Sequence, residues 1–134
     1  MKITQISVFL ENRPGRLAYL LDVLSDANIN LQALSVADTA DFGIARLIVA
    51  DPQAALRAVQ QVGLTAATTQ VLRVEIPDVA GGLAHTLVEP LAHAGVNIEY
   101  TYAYSEAPSG KAVVVLKVDK LEAALKALGS LANA

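Results

Sequence analysis

Two short polar turns are the parts of this 134-residue chain whose residue types could hold a small ligand. An Asn or Asp side chain can bond to its own backbone and shape such a turn, and Gly lets a ligand approach the backbone closely. Each turn precedes a predicted helix, whose first N–H groups carry a partial positive charge that suits a carboxylate. The same residues could act only as helix caps or turn formers, so both functions stay open. The turns are Asn12-Arg13-Pro14-Gly15 and Asp78-Val79-Ala80-Gly81.

The two turns occupy corresponding positions in an internal repeat, in which residues 3–63 align with residues 69–131. Asn30 and Asn97 also correspond, and each could place a second amide beside the pocket of its turn. Up to the middle of the helix, Ile6, Val8, Leu10, Asn12, Gly15, Leu17 and Leu21 match Leu72, Val74, Ile76, Asp78, Gly81, Leu83 and Leu87. After a one-residue insertion near Pro90, Ala27, Ile29, Asn30, Leu31 and Gly43 match Ala94, Val96, Asn97, Ile98 and Gly110.

Hydrophobic spacing predicts the order strand, helix, strand, strand, helix in each copy. Apolar residues alternate in the first strand, and Leu17, Leu20, Leu21 and Leu24 then follow helical spacing. Asn28 and Gly95 should end the first helix of each copy, because both tolerate a left-handed C-cap. Asp51-Pro52 is typical of a helix start, with Asp as the N-cap. The two hairpins are expected around residues 38–41 and 108–110.

The ends of the two copies differ. Residues 64–70 can form a fourth strand in the first copy, whereas only residues 132–134 follow the last helix of the second. The sequence therefore predicts an α+β fold of two tandem ferredoxin-like βαββαβ units, the second lacking a clear final strand. It also predicts a sheet edge beside residues 71–76 that is open or covered by another chain.

Composition excludes several classes of function. The net charge is −3 without a basic run, which argues against nucleic acid, and no apolar stretch is long enough to cross a membrane. The start of the chain does not resemble a signal peptide, and cysteine is absent, so we expect a cytoplasmic protein without disulfides. The hydrophobic fraction of 54% favours self-association, and we expect a homodimer.

The remaining candidate residues do not suggest catalysis or a cofactor. His85 and His93 are two helical turns apart, about 12 Å, which is too far to chelate one metal ion. Tyr100, Tyr102 and Tyr104 alternate on one strand face, where they would pack on the sheet or face a partner or ligand. The matching residues of the first copy are Ala33, Ser35 and Ala37, so the two copies are not chemically equivalent.

The segments Glu11–Leu17 and Asn28–Leu31, together with Pro77–Leu83 and Ala94–Ile98, resemble the corresponding motifs of the ACT domain. The resemblance implies two domains, at residues 1–70 and 71–134, that act as non-catalytic regulatory modules and bind an amino acid. In that family the ligand lies between the first turn of one domain and the second-strand start of another. The carried-over residues are Asn12, Arg13, Pro14, Gly15, Asn30 and Leu31 in the first copy, and Asp78, Gly81, Asn97 and Ile98 in the second.

Three functions follow as alternatives. The first is a free-standing amino-acid-binding regulatory protein, with the site at Asn12 favoured because Arg13 and Arg16 add positive charge there. Asp78 is a departure from the first turn: its charge would repel a carboxylate but could pair with an ammonium group. The second is a regulatory or assembly subunit that docks on a separate metabolic enzyme, with weak or absent ligand binding. The third, a small enzyme on the same scaffold, lacks an evident nucleophile, base or metal cluster.

Overall fold

Strand, helix, strand, strand and helix follow one another twice along the chain, as the hydrophobic spacing predicts. The computed structural model describes residues 1–38, 41–106, 110–129 and 131, so the predicted turn residues 39–40 and 108–109 and helix residue Ala132 lie outside the described residues. The elements are β1 (Lys2–Glu11), α1 (Arg16–Asp26), β2 (Leu31–Asp38), β3 (Phe42–Val49), α2 (Pro52–Gln61), β4 (Ala66–Pro77), a π-helical segment (Ala84–Val88) continued by α3 (Glu89–His93), β5 (Ile98–Glu106), β6 (Lys111–Val118) and α4 (Leu121–Leu128).

The chain divides into two compact units. The copy-one unit comprises Thr4–Thr69, and the copy-two unit comprises Gln70–Ala134 together with Met1–Ile3. In the copy-one unit the strand order is β2-β3-β1-β4, which is the ferredoxin-like order. The start of β4 supplies the fourth strand, and the backbone N–H of Phe9 donates to the carbonyl of Thr65 just before it, at 2.9 Å.

The copy-two unit reaches the same strand order by a different route. Its strands β4, β6 and β5 pair antiparallel, and the beginning of β1 lies on the free side of β4. The backbone N–H of Arg73 donates to the carbonyl of Met1 at 2.8 Å, and the amino group of Met1 donates back to Arg73. We expected the sheet edge beside residues 71–76 to be open or covered by another chain. This expectation is wrong for the part of β4 around Arg73, because β1 of the same chain pairs with it. β1 can do so because it extends past the copy-one unit.

Each unit packs its helices on one face of its sheet. The alternating residues of β1 and β3 meet α1 and α2, and those of β4 and β6 meet α3 and α4, so each unit buries an apolar core. The copy-one core is Ile6, Val8, Leu10, Leu20, Leu24, Ala45, Leu47, Val49, Ala55 and Val59. The copy-two core is Leu72, Val74, Ile76, Leu87, Leu91, Val96, Val114, Leu116, Val118, Ala124 and Leu128.

The one-residue insertion of the second copy lies in the π-helical segment. Burial pairs Leu20 with Leu87 and Leu24 with Leu91, so the extra residue falls before Leu87 and not near Pro90. The sequence match of Leu21 with Leu87 is wrong for the same reason. A single π turn accommodates one additional residue within a helix, which keeps both leucines of the second copy on the core side.

The helix ends agree with the sequence prediction. Asn28 and Gly95 both adopt the left-handed conformation, with φ of 59° and 72°. The next residue in each copy closes the cap, because Ile29 donates its N–H to Leu24 and Val96 donates its N–H to Leu91, each at 2.9 Å. Asn28 thus performs the backbone role that Gly95 has in the second copy.

The hairpin of the second copy is longer than the repeat alignment indicates. Gly43 lies opposite Leu10, whereas the corresponding Ile76 lies opposite Ala112. Gly43 therefore corresponds to Ala112, and its predicted match with Gly110 is wrong. The whole second hairpin is two residues longer, since 14 residues separate Asn97 from Ala112 and 12 separate Asn30 from Gly43.

The N-cap of α2 provides a stability prediction. The Asp51 carboxylate accepts a hydrogen bond from the backbone N–H of Ala54 at 3.1 Å, with Pro52 in the first helical turn. We expect Asp51→Ala to lower the free energy of unfolding by about 1 kcal/mol, measured by urea denaturation, because the cap bond is lost. Asp51→Asn keeps an acceptor and is the control; equal losses in both variants would contradict the capping role.

Candidate functional site

The two turns share one backbone conformation. The backbone N–H groups of Asn12 and Asp78 each donate to the carbonyl of the residue just before the third strand of the copy, which is β3 or β6. Gly15 and Gly81 both have positive φ, at 87° and 80°. Gly is required at both positions because L side chains are strained there. In the first turn, backbone N–H groups donate to carbonyls from Asn12 to Asp41 (3.0 Å), from Arg16 to Arg13 (3.3 Å) and from Tyr19 to Gly15 (2.9 Å). The second turn makes the corresponding bonds from Asp78 to Gly110, from Gly82 to Val79 and from His85 to Gly81, each at 2.9 Å.

The first turn is basic and exposed. Gly15 occupies the N-cap position of α1 and, having no side chain, gives this helix no side-chain cap. Arg13 forms an exposed ion pair with Glu11, which contributes little to stability. The Arg16 guanidinium lies over the Tyr19 ring, 5.2 Å from its centroid, and the Arg16 Nε is buried without a hydrogen-bond partner. Pro14 is exposed between the two arginines.

The second turn borders a cavity of about 300 Å³, at the lower end of the range for small-ligand pockets. The turn, the end of β5 and the start of β6 form its walls, and Asp78 is the charged residue in its lining. Asp78 was among the sequence-predicted site residues, whereas the strand residues of the lining come beside it only through the register of β5 and β6. It is lined by Ile76, Pro77, Asp78, Val79, Leu83, Ala103, Tyr104, Ala112 and Val114.

The second-strand start of copy one is also concave. Asn30 and Leu31 line a cavity of about 380 Å³ at the C-terminal end of α1, together with Leu21, Leu24, Ser25, Asn28 and Ile29. A smaller cavity of about 250 Å³ lies beside it and includes Asn30 and Asp51. Apart from Asn30 and Leu31, these lining residues were not among the sequence-predicted site residues, because only the folded helix end brings them together.

The second-strand start of copy two is more tightly held. The backbone N–H of Asn97 donates to the Asp119 carboxylate at 2.9 Å, and Asp119 donates its own N–H to the Asn97 carbonyl at 3.1 Å. Ile98 is partly buried and packs against the copy-two core. The backbone of Asn97 is therefore occupied within the unit, while the residue remains exposed.

Within one copy, the turn and the strand start do not form a common pocket. The 11 residues of α1 lie between the first turn and Asn30, and a helix of that length spans about 16 Å. The expectation that Asn30 lies beside the pocket of its own turn is therefore wrong, and the same holds for Asn97 and Asp78. The helix therefore places the turn and the strand start at its opposite ends.

The tyrosines of β5 lie on the sheet face away from the helices and are partly buried. Residues directly opposite in neighbouring strands share a face. Tyr100, Tyr102 and Tyr104 lie opposite Lys117, Val115 and Val113, which alternate with the core residues of β6. This placement agrees with packing on the sheet face.

His85 belongs to the surface of the second turn. Its Nδ1 lies 3.1 Å from the Glu89 carboxylate, and the pair is exposed. Its ring lies close enough to Gly81 that a Cβ there would be 2.9 Å from the His85 Cδ2. Among the described residues, no three metal-binding side chains come together, and no helix is long and apolar enough to span a membrane.

Fold and turns together define a class of protein: a tandem of ferredoxin-like units, each with an Asn/Asp-x-x-Gly turn between its first strand and first helix. The model of the ACT domain pair family matches residues 1–129. The chain belongs to the ACT domain pair family, as its motifs predict.

Solved structures share this fold. Protein BT0572 from Bacteroides thetaiotaomicron has a TM-score of 0.91 at 38% identity, over 97% of this chain and 88% of that one. The regulatory subunit of aspartate kinase from Thermus thermophilus has a TM-score of 0.68 at 19% identity, over 96% and 91%. The corresponding subunit from Thermus flavus has a TM-score of 0.66 at 20% identity, over 98% and 95%. The two Thermus structures show a shared fold; no curated relative matches the chain.

Proposed function

We propose that this protein is a non-catalytic regulator that binds an amino acid between the first turn of one ACT domain and the second-strand start of another. The main support is a cavity at each of the two positions, a first turn and a second-strand start. The cavity beside Asp78 has a volume of about 300 Å³, and the cavity beside Asn30 has a volume of about 380 Å³. The regulatory description of the aspartate kinase subunits with this fold supports a regulatory role. A cytoplasmic location fits the absence of cysteine.

The proposed ligand contacts follow from the chemistry of each half-site. At the first turn, the Asn12 amide, Gly15 and the start of α1 offer donors to a ligand carboxylate, and Arg13 adds positive charge. At the strand start, the amide of Asn30 can bond a polar group of the ligand, while Leu31 contributes apolar contact. Because one unit separates these positions by a helix length, the complete site needs another ACT domain.

A homodimer is the proposed source of a second domain. Copy one ends its sheet in β2, an edge strand whose Leu34 and Val36 are 39% and 49% exposed. An exposed apolar edge strand is suited to pairing with another chain. The alternative function, docking on a separate metabolic enzyme, would use the same edge and would not need an amino acid.

Amino-acid binding is tested by thermal unfolding with each proteinogenic amino acid, together with the mass by light scattering. We expect one of them, at 100 times its dissociation constant, to stabilise the protein by about 2.7 kcal/mol. Asn12→Ala should reduce that stabilisation, while Gln53→Ala on the α2 surface should not. Absence of a shift with every amino acid, confirmed by calorimetry, would reject the ligand and favour the docking subunit.

A further inference from the structure

We propose that the cavity beside Asp78 selects a ligand that carries a primary ammonium group on a short branched aliphatic chain. This inference rests on the proposed function, because it names the ligand class of the copy-two turn. It assigns the ammonium to the Asp78 carboxylate and the aliphatic chain to the apolar walls of the cavity.

The walls of this cavity are suited to an aliphatic group. Ile76 and Val114 are buried at the floor, where both also belong to the copy-two core. Val79 and Leu83 lie at the rim and are 66% and 44% exposed, so two large apolar side chains of this cavity still face water. An aliphatic ligand that covers them would remove this surface from water.

Small side chains keep the cavity open. Ala103 and Ala112 contribute only a methyl group each to the wall formed by β5 and β6. The volume of about 300 Å³ is small for a ligand pocket, which favours a short branched chain over a large aromatic group.

The charge of the cavity sets the polarity of the ligand. Among the described residues that line it, Asp78 is the one with a charged side chain. A carboxylate attracts a protonated amine through charge-assisted hydrogen bonds and repels a second carboxylate. The ligand must therefore enter with its ammonium group toward Asp78, and a carboxylate, if it has one, must point away.

Copy one differs at the corresponding positions, and its residues favour a carboxylate over an ammonium group. By the turn bonds and the strand registers, Asn12 replaces Asp78, Arg13 replaces Val79 and Val36 replaces Ala103. The first turn thus loses the carboxylate, gains a cation at the rim and carries a larger side chain on the edge strand. These three exchanges define the variants that test the proposal.

The experiment is a calorimetric titration of the full chain with four probes: L-leucine, 3-methylbutylamine, 4-methylpentanoate and L-serine. In this cavity we expect binding of leucine and of the amine, at least tenfold weaker binding of serine, and none of the acid, which has the branched chain without the amine. Amide NMR shifts at Asp78 and Ala103 should locate the two bound probes in this cavity.

Three variants transplant the copy-one residues. Asp78→Asn and Ala103→Val should each weaken binding of 3-methylbutylamine at least tenfold, the first by removing the charge and the second by filling the cavity. Val79→Arg should weaken it further than Val79→Ala, because the new cation repels the ammonium. Gln53→Ala, on the exposed surface of α2 in copy one, is the control and should leave the affinity unchanged.

The outcomes separate this inference from the proposed function. Binding of some amino acid without any effect of Asp78→Asn would overturn the cavity proposal and leave the regulatory ligand intact. Binding of the amine at Asp78 by a protein that binds no amino acid would support the cavity and reject the amino-acid ligand. Binding of none of the probes, or binding of the acid in this cavity as tightly as the amine, overturns the inference.

Discussion

Gly82→Ala should destabilise the protein by about 1–3 kcal/mol, at the upper end of that range, because the added methyl group meets backbone rather than a movable side chain. Gly82 is buried, and a Cβ built on it would overlap the carbonyl oxygen of Pro77. The Pro77 carbonyl oxygen is held in place because Pro77 ends β4, and Gly82 is held because its N–H donates to the Val79 carbonyl. The turn that borders the Asp78 cavity would have to open to admit the methyl group.

Urea denaturation followed by circular dichroism measures this loss, and hydrogen exchange locates it. The matched control is Arg16→Ala, because Arg16 holds the same position in the first turn and makes the same backbone bond. That change removes the contact with Tyr19 and should cost about 0.5–1 kcal/mol. Similar losses in the two variants would show that Gly82 is not required by its close approach to Pro77.

Local chemistry in the sequence was sufficient where one residue determines one backbone feature. Gly15 and Gly81 were predicted as turn residues, and their positive φ confirms the required conformation. Asp51 was predicted as an N-cap, and its carboxylate makes the cap bond. Asn28 was predicted to end α1 in the manner of Gly95, and both adopt the left-handed conformation. In each case the physical reason lies within four residues of the position itself.

Features that depend on how the repeat is interrupted were predicted less well. The extra residue of the second copy was visible in the alignment, but its position before Leu87 became clear only from the residues that are buried. A leucine at either of two neighbouring positions satisfies the spacing of a helix, so spacing alone cannot choose between Leu20 and Leu21 as the match. The hairpin match of Gly43 with Gly110 failed for a related reason, because Gly is common in any turn.

Long-range pairing was outside the reach of local patterns. The beginning of β1 reads as an ordinary first strand, and nothing in residues 1–3 indicates that they pair with Arg73. The cavity beside Asp78 also depends on residues that are far apart in the sequence. Ala103 is an unremarkable alanine between two tyrosines until the strand register places it beside the second turn.

Leu91→Ala and Leu24→Ala should each lower the free energy of unfolding by about 2–5 kcal/mol, through lost apolar contact and a residual cavity. Leu91 is fully buried in the copy-two core, and Leu24, its structural counterpart, is 1% exposed in the copy-one core. Leu17→Ala, at a position that is 36% exposed, serves as the surface control and should cost less than about 1 kcal/mol.

The two core variants also test whether the units unfold together. The first two residues of β1 belong to the copy-two unit and the rest to the copy-one unit, while β4 is divided between the units after Thr69. Both strands continue from one unit into the other, so unfolding of either unit should fray strand residues of the other, and we expect a single urea transition in the wild type and in both variants. Hydrogen exchange in Leu91→Ala should then accelerate in β1 and β4 as well as in β6. Two separate transitions, of which each variant shifts only one, would show that the shared strands do not couple the domains.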